Sequence, residues 1–549
     1  MRLMKRALAT ALCLGLAPLH AAEPPQPKLI VTIVVDQFSS DLFNEYRPLY
    51  RAELNGLARL SSGIVFQRGH QSHAATETCS GHSTILTGAR PARTGIVANE
   101  WQDPHRRRRD KGRETFLIYC VEKPGEPGSD ARRKVVSPDF LLVPTLGDRM
   151  KARDPTVRVV SVSGKDRSAV MLGGHRADLA LWWTESGFTT YAGRQSTIPK
   201  AIRGRVNEGV RRSYAQRTLP TLPNACMAKS QKIDVGPDIS VGMLQPTEAR
   251  SRRWRATPAL DAFTVDAALA AVEALDLGKR DSVDLLAVSL SGNDYVGHYF
   301  GTGGAEMCAQ QLALDQTIGR LLTALDKARI SYVVALTADH GGLDTPDRNR
   351  LRGFPNAQRI SPDVLPAKIG ADLARELRLD VNAILGHEDF ANDVYLHPDI
   401  PAARRTTVLE AAARKYRKHP QVAAVFTRDE LTAAAAPAGP ADEWTLLERA
   451  KASFHPQRSG DLIVLLKPHV TTYAAPENPE TDYIASHGSV WGYDRTVPII
   501  FWWSGVKGFD QPLAVETVDI APTLASFIGL SIPPDEIDGR PLPFVRRAR

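Results

Sequence analysis

The sequence predicts an α/β protein with a central, mostly parallel sheet flanked by helices and capped by insertions. Near-continuous apolar, β-branched runs recur along the chain, as buried parallel strands require. Helical periodicity fills the gaps between them. Polar residues that could ligate metal cluster just after several of the runs.

The strand-like runs are Lys28 to Val35, Val157 to Val162, Val283 to Leu290, Ser331 to Thr337, Asp461 to Leu466 and Val497 to Trp503. Asp261 to Leu275 and Ala305 to Ala328 carry the 3.6-residue period of helices, and Pro401 to Tyr416 reads as another. Two regions break the rhythm, 176–255 and 344–458, and are expected to be cap insertions in a single domain spanning 23–549. Gln102 to Glu114 reads as a polar loop with six basic and three acidic residues.

Residues 1–22 are set apart. Arg2, Lys5 and Arg6 precede a thirteen-residue apolar stretch, Ala7 to Leu19, and Ala21-Ala22 offers a small-residue cleavage site. This is the pattern of a secretory signal, too short to span a bilayer, and it predicts a periplasmic or secreted protein. No later run suggests a membrane span. Removal of the signal lowers the formal charge from +8 to +5, which suits anionic substrates without arguing for nucleic acid. It also removes Cys13. Cys79, Cys120, Cys226 and Cys308 remain, enough for two disulfides in three possible pairings. The 43% hydrophobic and 24% charged composition excludes a disordered chain.

The chemistry lies at the strand ends. Asp36 ends the first strand, Asp294 and His298 follow a later one, Asp339-His340-Gly341-Gly342 ends another, and His487 precedes the last. Open parallel sheets bind ligands at the carboxyl ends of their strands, so three Asp and three His should converge on one edge. Six such donors are too many for one tetrahedral ion and suit two. An Asp at a strand end can also be a plain helix cap, and Asp294-x-x-x-His298 alone is a common spacing. The conjunction carries the inference.

Thr78 opens a predicted helix ending at Gly88. Its hydroxyl could be a nucleophile, favoured by the helix dipole, or an ordinary N-cap. Lys165 and Arg167, in Ser163-Gly164-Lys165-Asp166-Arg167, would point to one side of an extended backbone and suit a dianionic phosphoryl group, unless they are a solvated pair. Asn99 could donate to a phosphoryl oxygen or shape a turn.

These residues together resemble the alkaline phosphatase superfamily, in particular type I phosphodiesterase/nucleotide pyrophosphatase-like sequences. They are most similar to the phosphate-irrepressible alkaline phosphatases that use a threonine nucleophile. The resemblance runs from Asp36 to about Gly174, from Asp294 to Gly342 and from His487 to the end, including Thr517 to Leu524 and Ile537 to Leu542. It implies an alkaline phosphatase-like fold and two zinc ions. Asp36, Thr78, Asp339 and His340 would surround one ion, and Asp294, His298 and His487 the other. Thr78, 21 positions before Asn99 as in the family, would be the nucleophile. Asn99, Lys165 and Arg167 would contact the non-bridging oxygens. The Lys-Asp-Arg segment marks the monoesterase branch, so small phosphate monoesters are the implied substrates. Cys79-Ser80-Gly81-His82 replaces the proline-containing turn frequent in relatives.

A phosphodiesterase on the same fold is the alternative. A sulfatase lacks its Cys-x-Pro-x-Arg segment here, and a non-catalytic binding protein would not need a complete ligand set. The expected disulfides are Cys79–Cys120, which would tie the nucleophile helix to the segment after the basic loop, and Cys226–Cys308 by elimination. The chain is expected to act as a monomer.

Overall fold

The computed structural model describes residues 26–110, 113–125, 135–216, 221–244, 253–386, 390 and 392–544, so the predicted signal lies outside the described residues. Seven strands of the main sheet organise the site: β1 (Leu29–Val35), β2 (Ile64–His70), β3 (Val159–Ser163), β4 (Leu179–Thr184), β5 (Asp284–Leu290), β6 (Tyr332–Thr337) and β7 (Thr496–Trp503). They lie in the order β2-β7-β6-β1-β5-β3-β4, with the short strands Phe509–Gln511 and Gly187–Thr189 outside them. The run β6-β1-β5-β3-β4 is parallel throughout.

β1 shows why the continuous apolar runs were needed. Leu29, Val31, Ile33 and Val35 enter one core while Ile30 and Val34 enter the other, so both faces are buried. Helices α3 (Pro258–Ala274) and α5 (Ala305–Lys327) pack on the first core. Helix α1 (Thr78–Thr87) sends Ile85 and Leu86 into the second. Two shorter helices, α2 (Asp166–Gly173) and α4 (Gly292–Phe300), start directly after β3 and β5.

The structure departs from the sequence expectation in two strands. β7 is antiparallel to both β6 and β2. The run at 461–466 forms strand Leu462–Leu466 in a separate four-stranded antiparallel sheet with Ile384–Leu385, Asp393–Leu396 and Val422–Thr427. Leu462, Val464 and Leu466 face one core there, and Ile463 and Leu465 another. A strand buried on both faces has the same sequence pattern whichever sheet it joins. β4, inside the stretch read as a cap insertion, pairs with β3 in the main sheet.

The helix expected at 401–416 is Ala402–Lys418, with Pro401 at its N-cap. The basic loop is a hairpin, Arg108–Asp110 against Arg113–Thr115. Both expected disulfides form, Cys79–Cys120 and Cys226–Cys308. Among the described residues no helix is long and apolar enough to cross a membrane.

Helix α1 meets the end of β6 at a glycine. A Cβ on Gly81 would lie 2.0 Å from the Asp339 carbonyl oxygen. Because the obstacle is backbone, it cannot swing aside. Gly81→Ala should therefore cost about 1–3 kcal/mol of stability and displace Thr78 relative to Asp339. Chemical denaturation together with an activity assay checks this; wild-type values in both would show that the helix can shift freely.

Candidate active site

The parallel strands place their carboxyl ends on one edge, and the site is built there. Asp36 follows β1, Asp339 and His340 follow β6, Lys165 follows β3, and Asp294 and His298 lie on α4 after β5. β7 runs the other way, so the segment before it, carrying His487, reaches this same edge. β2 also ends there, eight residues before Thr78. Every residue that the sequence singled out for the site converges on this edge.

The Asp and His side chains form two groups, Asp294/His298/His487 and Asp36/Asp339/His340. In the first, Asp294 Oδ1 lies 3.3 Å from His298 Nε2 and 3.5 Å from His487 Nε2. In the second, His340 Nε2 lies 3.6 Å from Asp36 Oδ1 and 3.3 Å from Asp339 Oδ2. Donor atoms sharing one tetrahedral ion with bonds of about 2 Å are spaced by roughly 3.3 Å, so both groups fit that geometry.

The hydrogen bonding makes the same point. His298 Nδ1, His340 Nδ1 and His487 Nδ1 lie 3.0, 2.8 and 2.9 Å from the carbonyls of Ala485, Gly341 and Thr76. A carbonyl only accepts, so each Nδ1 carries the proton and each Nε2 presents a lone pair to the site. Asp36 Oδ1, Asp294 Oδ1, Asp339 Oδ2 and His340 Nε2 are buried without a hydrogen-bond partner. Buried polar atoms are normally satisfied, and here a cation would satisfy them.

The charges are unbalanced as they stand. Asp36, Asp294 and Asp339 are all essentially inaccessible to solvent. Burial, and then the Asp339 charge, push Asp36 well above the usual carboxylate range. Burial also works against charge on Asp294, but the Lys165 ammonium, foremost among its neighbours, outweighs it and holds the carboxyl well below that range. Burial lowers His340 and lowers His487 far below the ordinary histidine value, keeping both rings neutral. Neutral imidazole and carboxylate are the ligating forms. The donors thus fit two divalent cations.

Lys165 lies between the two groups, 2.6 Å from Asp294 Oδ2 and 2.7 Å from Asp36 Oδ2. It also donates to Thr78 Oγ1 at 3.3 Å, and Arg167 Nη2 donates to the same oxygen at 3.4 Å. The two cations converge for a different reason than the extended backbone expected from sequence. Lys165 is the N-cap of α2 and Arg167 is already in its first turn. Thr78 is not a capping residue. Glu77 holds the N-cap position of α1, and Thr78 is the first helical residue.

Asn99 is fixed from three directions. Its N–H donates to Glu77 Oε2 (2.7 Å), its carbonyl accepts from Cys120 N–H (3.0 Å), and its Oδ1 accepts from Cys79 N–H (2.8 Å). Nδ2 is left as the outward donor. Burial raises the Glu77 carboxyl to about 7 even as the Asn99 N–H opposes it.

Sequence reasoning left several residues here without a role. His82 Nδ1 donates to Thr78 O (2.8 Å) and lies 3.1 Å from Asp339 Oδ2, while Nε2 is 2.9 Å from Ser289 Oγ. It thus ties the start of α1 to a candidate ligand and to β5. Its spacing of four from Thr78 on a helix was the available signal. Tyr483 stacks on His298 with centroids 4.3 Å apart, and Tyr295 and Arg255 line the cleft beside it. Tyr483 and Arg255 lie in regions with no sequence pattern to mark them, and Tyr295 is an unmarked position inside Asp294-x-x-x-His298. The cleft encloses about 450 Å³, and its lining also includes Asn392 and, from the smaller sheet, Asp393 and Tyr395.

The profile of the type I phosphodiesterase / nucleotide pyrophosphatase family matches residues 30–490. The chain belongs to this family. Within it, the chain is 46% identical over 530 residues to alkaline phosphatase PhoK of Sphingomonas sp, covering 96% of this chain and 92% of that protein. It is 45% identical over 520 residues to alkaline phosphatase PhoD of Zymomonas mobilis, covering 93% and 87%. The crystal structure of wild-type alkaline phosphatase PafA superposes with a TM-score of 0.79 at 25% identity, covering 94% of this chain and 98% of that one. The mostly parallel sheet flanked by helices is thus the PafA-like alkaline phosphatase fold of the phosphodiesterase / nucleotide pyrophosphatase family.

Three buried carboxylates facing one ammonium should make this family member's stability depend on bound cations. Exhaustive chelation should lower the midpoint of thermal unfolding, and re-addition of a divalent ion should restore it. A midpoint indifferent to both would mean that the two donor groups hold no metal.

Proposed function

We propose that this chain, a phosphoric monoester hydrolase of the alkaline phosphatase kind, acts through a covalent phosphothreonine at Thr78 with two zinc ions. Asp36, Asp339 and His340, joined by Thr78, would hold one ion, and Asp294, His298 and His487 the other. The observation that carries the reading is the Thr78 hydroxyl, which receives Lys165 and Arg167 together at the edge where both donor groups sit. The identities to proteins named alkaline phosphatases support it.

When bound, the two cations supply positive charge that lowers the pKa of the Thr78 hydroxyl and neutralises the departing oxygen. The chain's own residues do the rest. Thr78 Oγ, having lost its proton, forms a bond to phosphorus, and the bond from phosphorus to the leaving oxygen breaks. Water then attacks the phosphothreonine, the Oγ–P bond breaks, and inorganic phosphate leaves. Lys165 and Arg167 are within reach of oxygens on a phosphoryl group attached to Thr78, and Asn99 Nδ2 offers a third donor. The Cys79 N–H is already spent on Asn99 Oδ1, so these side chains, rather than that amide, serve the non-bridging oxygens.

We place the protein in the periplasm or outside the cell. Its two disulfides suit an oxidising compartment, as does the signal that the sequence predicts at 1–22. Its substrates would be small phosphate monoesters. It would act as a monomer, with the insertions at 176–255 and 344–458 shaping access.

Elemental analysis should find two zinc ions per chain, and His298→Ala should remove one of them before the other. The diesterase reading is tested by charge. A monoester offers an extra anionic oxygen to Lys165 and Arg167, where a diester carries a second substituent. Replacing both residues by Ala should cost a monoester on the order of a thousandfold more in relative rate than a diester. Thr78→Ala should damage both substrates. Equal losses in the double variant would favour the diesterase.

A further inference from the structure

Arg255 is a cation in the substrate cleft. It precedes α3 and lines the same cavity as Arg167, Asp294 and His298. Its guanidinium lies 4.4 Å from the centroid of the Tyr295 ring and donates to the Tyr295 hydroxyl at 3.2 Å. Among the described residues no ion pair is made by it. Its guanidinium is set against aromatic rings rather than an acid, and an arginine stays charged throughout the working pH range, so it retains its capacity for an anion.

Its position says which anion. Tyr295 directly follows Asp294, and Lys165 Nζ lies 5.2 Å from the centroid of the same ring that carries Arg255. One aromatic ring therefore contacts both the cation assigned to the transferred phosphoryl group and a second cation. Tyr483, stacked on His298, continues this wall. The wall borders the Asp294/His298/His487 group, and the family resemblance puts the leaving group beside that group. A leaving group with a charge of its own would meet Arg255 there.

We propose that Arg255 and the Tyr295 and Tyr483 rings form a subsite for a second phosphoryl group on the leaving group. The favoured substrates are then phosphate esters or anhydrides of that kind, such as nucleoside diphosphates and bisphosphates. The proposal rests on the monoesterase reading above and names a substrate class within it. A guanidinium donates two parallel hydrogen bonds to a phosphoryl group, which a neutral leaving group cannot accept with comparable strength.

The test compares ADP, whose leaving group carries a phosphoryl group, with phenyl phosphate, whose leaving group does not. The readout is kcat/KM for wild type, Arg255→Gln and Arg255→Lys. Arg255→Gln should lower the value for ADP by roughly ten- to hundredfold while leaving phenyl phosphate within about threefold. Arg255→Lys should recover part of the loss on ADP. Equal losses on both substrates in both variants would mean that Arg255 only supports the Tyr295 wall, and the subsite falls. An unchanged ADP value in Arg255→Gln overturns it as well. A wild-type protein that does not hydrolyse phenyl phosphate would sink the monoesterase reading, and the subsite with it. If Arg255→Gln does not fold, Arg255→Lys, which keeps a cation on the ring, decides by its selective or equal effect on the two substrates.

Discussion

Three carboxylates buried at one sheet edge are the constraint on which the rest of this structure depends. Burying an isolated ion costs several kcal/mol even after relaxation, and Asp36, Asp294 and Asp339 are buried together. Lys165 offsets part of that charge by bonding to Asp36 and Asp294 at once. Asp339 is held by other means. Its Oδ1 accepts from the N–H groups of Gln37 and His340, and its Oδ2 lies beside His82. The neutral histidines add donor atoms without adding positive charge. Such an arrangement is costly as a structural core and well suited to holding cations.

The second constraint is the placement of the Thr78 hydroxyl relative to those groups. Helix α1 is fixed at its start rather than along its length. Gly81 lets it approach the Asp339 carbonyl, His82 ties it to Asp339 and Ser289, and the Cys79–Cys120 disulfide ties it to the segment after the basic hairpin. Asn99 sits inside this last connection, bonded to both cysteine N–H groups and to Glu77. A disulfide here therefore constrains the asparagine as much as the helix. Positioning of this kind matters because phosphoryl transfer leaves the protein little to do beyond orientation and charge stabilisation.

The sheet edge was legible in the sequence because its logic is local. An apolar run ending in Asp36, or in Asp339-His340-Gly341-Gly342, declares both the strand and the polar residue at its end. His487 was legible too, although the reason differs: it reaches the edge at the amino end of an antiparallel strand, not at the carboxyl end of a parallel one. Period-two burial cannot report strand direction, and for the same reason Leu462–Leu466 could not be assigned to its own sheet. Lys165 and Arg167 were identified as a pair, but the local geometry is a helix start rather than an extended segment. Arg255, Tyr295 and Tyr483 carried no signal. They meet only through the tertiary fold, from segments as far apart in sequence as Arg255 and Tyr483.

That division has a physical consequence for how such a protein can change. The candidate ligands, Lys165 and Arg167 come from the ends of main-sheet strands and the helices that follow them, where a shift in one strand disturbs several donors. Much of the cleft wall comes from elsewhere. Asp393 and Tyr395 belong to the smaller sheet, which has its own core, and Tyr473 and Tyr483 lie in sequence between that sheet and β7. Substitutions in those walls alter the shape and charge offered to a leaving group while the buried carboxylates keep their partners. Tyr295 and Tyr483 are the exceptions. Tyr295 directly follows Asp294 and lies under Lys165, and Tyr483 stacks on His298, so a change at either acts on the wall and on the candidate site together. Selectivity for the leaving group is therefore free to vary at most wall positions, but at these two it is coupled to the cation site.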